Sequence, residues 1–138
     1  MQPIFITGGT GYMGKRLIAA LLAESYPEAK LPTGAIPVIA DAFAAKSSQD
    51  EMRAFNICSI AWCSPPGAKE KELFKNIDLA PAEASAIAAK HAGVKHFVYI
   101  SVAQTPAKIM QDYQQSRAVG EEAIINAGLS ATFIRPGM

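Results

Sequence analysis

Residues 4–23 read IFITGGTGYMGKRLIAALLA. Four apolar or β-branched residues are followed by a glycine turn, and then by an apolar stripe of Met13, Leu17, Ile18, Leu21 and Leu22 at helical spacing. The pattern predicts a strand over 3–7, a tight turn and a helix over 12–24. In the turn, Gly8, Gly11 and Gly14 stand three apart, with Gly9 adjacent. A pyrophosphate needs close backbone approach and free N–H groups at a helix N-terminus, and a side chain at Gly8 or Gly11 would obstruct it. Gly14 allows close packing of the helix. Because the glycines follow a strand and open an amphipathic helix, they point to a phosphate site at Gly8, Gly11, Tyr12, Met13 and Gly14. The bland alternative is a tight strand-to-helix turn with no ligand. Lys15 and Arg16 read as solvated helix charges.

The rest of the chain continues the alternation. Strands are predicted at 36–40 (IPVIA), 57–63 (ICSIAWC), 96–101 (HFVYIS) and 131–135 (ATFIR), with a short polar helix at 47–54 capped by Ser47 or Ser48. A helical region runs over 69–91, where Pro81 requires a break or a fresh start near Asp78, and Gly93 stops it. A last helix spans 110–127 and ends at Gly128. Apolar strands separated by helices argue for a parallel sheet covered on both faces. Trp62 reads as core, and Glu121 and Glu122 as a solvated face.

The 138 residues suit one domain, and half of them are hydrophobic, enough for a real core. The net charge of +1, spread along the chain, offers no block for nucleic acid. No apolar run approaches a membrane span, and no secretory leader pattern is visible at the N-terminus. Cys58 and Cys63, five apart in one predicted strand, would point to opposite faces. Two reduced thiols suit a cytoplasmic protein. His91 and His96 have no companion ligands in sequence, so no metal is expected.

The motif Thr7-Gly8-Gly9-Thr10-Gly11-Tyr12-Met13-Gly14, with VIADAF, KHFVYISVA, YQQSRAVGEEAIINAGLSATFIRPGM and its closing RPG, resembles the extended and atypical branches of the short-chain dehydrogenase/reductase superfamily. It is most similar to the NAD(P)-binding, epimerase/dehydratase-like members, and the likeness runs across nearly the whole chain. The resemblance implies a three-layer α/β/α Rossmann-like parallel sheet of about five strands and a cofactor that is NAD or NADP. It implies that Asp41 meets the adenine, and that Ser101 and Tyr113 act on a small-molecule carbonyl substrate.

Three departures follow. Residues 25–35 have no apolar run, so the usual second strand, and the acidic residue that grips the ribose, have no place. The first helix is then expected to feed directly into 36–40, which would pair beside the first strand as a new edge. Arg117 stands where the resemblance implies a lysine four residues after Tyr113. It keeps the charge but not the hydrogen-bonding geometry. Tyr113 and Arg117 therefore read either as a working pair or as a packing tyrosine and an ion-paired arginine, with Glu121 as a partner. Lastly, the resemblance implies pocket-building segments beyond RPG, and the sequence ends at Met138. The reading is a cofactor-binding, oxidoreductase-like domain with little or no turnover. A full reductase or epimerase and a degenerate interaction module remain as alternatives. An exposed edge favours a homo-oligomer.

Overall fold

A computed structural model describes residues 4–22, 35–53, 55, 57–60, 74–106 and 110–137. Its elements are β1 (Ile4–Thr7), α1 (Tyr12–Leu22), α2 (Ala45–Met52), β2 (Ile57–Ile60), a π-helical turn (Lys75–Leu79), α3 (Ala80–Ala92), β3 (His96–Ile100), α4 (Gln111–Asn126) and β4 (Ala131–Ile134). All strand pairs are parallel, and the spatial order β1-β2-β3-β4 follows the sequence. Right-handed crossovers taken in one direction bring successive linking helices to the same face. The core has that arrangement. Phe5, Phe97 and Tyr99 of the sheet pack with Met52 of α2, Ala82, Ala86, Ala88 and Ala89 of α3, and Ile124 of α4.

The parallel register puts Ile6, Val98 and Thr132 on the sheet's other face. Of the β1, β3 and β4 side chains described on that face none is buried, and Ile134 at the end of β4 is 48% exposed. Helix α1 contributes nothing to the main cluster; among its described side chains only Ala19 and Gly14 are buried.

The expected strand at 36–40 does not form, so the described sheet has four strands rather than about five, with β1 at its edge. Pro37 has no N–H to give a ladder. The segment runs exposed instead, with Ile36 at 89% and Ile39 at 101%. It leads into a turn in which the Phe43 N–H donates to Asp41 Oδ1 (2.9 Å) and the Asp41 N–H donates to Ser47 Oγ (2.6 Å). Helix α2 accordingly starts two residues earlier than expected. Ala44 precedes it without a side-chain cap, while Ser47 serves Asp41 and Ser48 is buried. The bypass over 25–34, Cys63 and Trp62 lie outside the described residues, as do the side chain of Cys58 and the helical pattern over 69–73.

Pro81 does stand in the first turn of α3, but the chain before it widens into the π-helical turn rather than breaking. Gly93 ends α3 at φ 75°. Its N–H donates to Lys90 O, and the Val94 N–H reaches back to Ala89 O at 3.0 Å, a two-bond closure that needs a left-handed residue.

Candidate cofactor and active site

The carboxyl ends of the parallel strands form the edge where ligands of such sheets bind. The glycine turn leaves β1 there. Gly8 takes φ 73°, which a side chain would strain, and the Gly11 N–H donates to Gly8 O at 3.0 Å. A Cβ on Gly14 would collide with the carbonyl oxygen of Gly8, so helix α1 starts directly against the backbone of the turn. A Cβ on Gly11 would meet only Gly8 O, at 3.3 Å, and Gly11 itself is exposed. The first turn of any helix leaves N–H groups without intrahelical acceptors, here those of Tyr12 and Met13. Tyr12 is 67% exposed and Met13 37%, and the Arg16 guanidinium lies 4.4 Å from the centre of the Tyr12 ring. Thr7 Oγ1, at the root of the turn, is buried without a hydrogen-bond partner. An open glycine cradle, a helix N-terminus and an orphaned hydroxyl together fit a dinucleotide pyrophosphate. Asp41 is exposed, and one of its carboxylate oxygens is engaged by the turn before α2.

Ser101 follows β3 at the same edge. Its N–H donates to Ile134 O (2.7 Å), and its Oγ is buried without completing a hydrogen bond. The segment after it is pinned to α4, where Gln114 Oε1 accepts from the Thr105 N–H (2.8 Å) and Gln114 Nε2 donates to Thr105 Oγ1 (3.2 Å).

Tyr113 and Arg117 share a face of α4, as expected, but Arg117 is 1% exposed. Its Nη2 donates to Asp78 Oδ1 at 2.6 Å, and its Nη1 donates to Tyr99 Oη at 3.2 Å and to Ile100 O at 3.1 Å. The guanidinium carbon lies 5.3 Å from the Tyr113 ring centre and 5.5 Å from that of Tyr99. Burial works against the Arg117 charge, but Tyr99, Asp78 and Tyr113 outweigh it and hold its pKa above the ordinary value. Burial raises the Tyr99 phenol, with Arg117 opposing. The partner of Arg117 is thus Asp78 rather than Glu121, and its hydroxyl partner is Tyr99 of β3.

Glu121 is not part of a solvated face. It is 9% exposed and takes Arg135 in a two-point pair, Nε to Oε1 at 2.8 Å and Nη2 to Oε2 at 2.5 Å. The Arg135 hydrogen bond holds the Glu121 carboxyl below its ordinary 4.5, against the opposing effect of burial. Its stabilisation is therefore complete above pH 4.5 and is lost as pH falls through the depressed folded value. Glu121→Gln is expected to flatten the acid limb of a Tm-versus-pH curve; an unchanged limb would show that the pair contributes nothing.

Asp78, Tyr99 and Gln114 are the site neighbours that the sequence reading did not mark, and Glu121, named there as a partner for Arg117, pairs with Arg135 instead. The one available signal was a charged residue inside the apolar stripe of NIDLAPAEA. Among the described residues, no group of three or more His, Cys, Asp or Glu could hold a metal, and no helix is long and apolar enough to cross a membrane.

No family model matches the chain, and no curated protein does. Solved structures do. A putative NAD-dependent epimerase/dehydratase from Bacillus halodurans superposes with a TM-score of 0.81 at 18% identity, over 99% of this chain and 71% of that one. A UDP-galactose 4-epimerase gives 0.79 at 16% identity, over 96% and 55%. A dTDP-4-dehydrorhamnose reductase from Bacillus anthracis, solved in complex with NADP, gives 0.73 at 22%, over 99% and 54%. The likeness at these identities is one of fold: a Rossmann-like α/β domain with a shortened parallel sheet. The chain spans little more than half the length of several of these structures.

Proposed function

We propose that the chain is a single cofactor-binding domain that holds NAD or NADP with its pyrophosphate at the Gly8–Gly14 turn, and that its oxidoreductase or epimerase turnover is weak or absent. The observation that carries this reading is the glycine turn itself. It leaves the end of a parallel strand and opens α1, with Gly8 in the left-handed region and Gly11 exposed. The solved structures of like fold that hold NAD or NADP support it. A bound nicotinamide would supply a hydride. Ser101 Oγ and the Tyr113 phenol are the groups this chain would offer to a carbonyl oxygen, one by hydrogen bond and the other as proton donor. Arg117 is 1% exposed and is anchored by Asp78, Tyr99 and Ile100 O, so its guanidinium is held inside the protein rather than presented to a ribose at the sheet edge. Weak turnover follows from that placement.

A second reading, an interaction module with a vestigial cofactor site, is favoured by the exposed apolar run of Ile36, Ile39 and Phe43. Exposed Ile87 on α3 and Val119 and Ile125 on α4 fit a homo-oligomer under either reading, and the two cysteines fit a cytoplasmic setting.

Calorimetric titration with NADPH and with NADH separates the readings. Saturable binding of one or both is expected, followed by slow or no oxidation when small carbonyl compounds are added. Absence of binding at millimolar cofactor overturns the first reading in favour of the second.

A further inference from the structure

Residues 74–81 do more than start a helix. Pro81 has no N–H, and its ring would press on the carbonyl four residues back, that of Ile77. The chain answers by widening: the Ala80 N–H donates to Lys75 O, five residues back, and the helix runs on through α3. Such a turn adds one residue to the helical register and so rotates the side chains before it by about 100° relative to those after it. Its effect here falls on one turn of α4. The Phe74 ring lies 5.5 Å from the Tyr113 ring at an interplanar angle of 59°, and Phe74 O accepts from Ser116 Oγ at 3.0 Å. Asp78 takes Arg117, whose guanidinium carbon lies 5.3 Å from the same Tyr113 ring. Phe74 is 3% exposed and Asp78 2%, so both reach α4 inside the protein.

We infer that the π-helical turn is the device that positions Tyr113, with Phe74 acting directly on its ring and Asp78 acting through Arg117. The proton-donor role of Tyr113 rests on the function proposed above; the placement of its ring does not. Neither Phe74 nor Asp78 is a catalytic residue in this account.

Incorporation of 3-fluorotyrosine gives the four tyrosines of the chain their own fluorine resonances, and Tyr113→Phe identifies the one that matters. Asp78→Leu with Arg117→Met removes the buried pair as a unit, a replacement that well-packed apolar residues of similar volume tolerate. In that variant the Tyr99 and Tyr113 resonances are both expected to move by more than their linewidths. In Phe74→Leu, Tyr113 alone is expected to move. In both, exposed Tyr12 stays in place. Should the double variant fail to fold, Phe74→Leu carries the test. A Tyr113 resonance unmoved in a folded Phe74→Leu protein overturns the inference. NADPH titration of the same parent sample separates the two proposals: a parent that binds no cofactor sinks the functional reading and leaves the fluorine result standing on its own.

Discussion

Asp78→Ala is expected to lower the unfolding free energy by about 3–5 kcal/mol, because it strands a buried cation. Both side chains of the pair are out of water, Arg117 at 1% and Asp78 at 0% exposure, so solvent screening does not discount the loss. The Arg117 hydrogen bonds to Tyr99 Oη and Ile100 O hold the guanidinium in place, so it has no short route to solvent. For a marginally stable domain such a loss is a large fraction of the total. Chemical denaturation is the measurement, and a midpoint near that of the parent would mean that Arg117 finds another partner. The double replacement by Leu and Met should cost far less than either single truncation, since it removes the desolvated charges together.

Gly11→Leu is expected to weaken NADPH or NADH binding about a hundredfold while leaving the fold intact. The fold is expected to survive because Gly11 is exposed and its φ is not positive; among the described residues an added Cβ meets Gly8 O at 3.3 Å, which asks the turn to give by a few tenths of an ångström. Binding fails because the side chain enters the space that a pyrophosphate would occupy. Two charge-assisted hydrogen bonds lost at about 1.5 kcal/mol each amount to that hundredfold. Titration calorimetry beside a melting curve reads both quantities. An unchanged Kd in a folded variant would remove the phosphate from this turn. Gly14→Leu is the contrasting change: its Cβ meets the backbone of the turn itself, so stability falls along with binding.

The parts of this molecule legible in the sequence were those set by local rules. Helical spacing placed α1, α3 and α4 to within a few residues, and Gly93 and Gly128 marked helix ends because each takes a positive φ. The glycine turn was legible for the same reason, being one strand end, one turn and one helix start. The 36–40 strand was misread because IPVIA has strand composition, while a strand exists only where a neighbour accepts its ladder, and Pro37 weakens that ladder from within. The surroundings of Arg117 were hidden for a different reason. Its partners come from positions 78, 99 and 100, on elements that only the tertiary fold brings together. Glu121 looked like one of a pair of solvated acids until β4 placed Arg135 beside it.

The ordering of the sheet has a consequence for how the molecule holds together under thermal motion. Strands β3 and β4 are knitted to α2, α3 and α4 through one shared cluster, and Phe5 is the residue of β1 that joins it, its ring centre 5.5 Å from that of Phe55. Among the described residues, β1 and α1 are therefore the outlying cooperative unit. Their amides are expected to exchange by local opening below the global unfolding free energy, which hydrogen exchange would read directly. The unit that would grip a dinucleotide is the one whose closure adds most to the whole. A ligand seated on the glycine turn would tie a loosely fastened first strand to an independently packed remainder, and occupancy would be felt as a change in cooperativity before any change in shape.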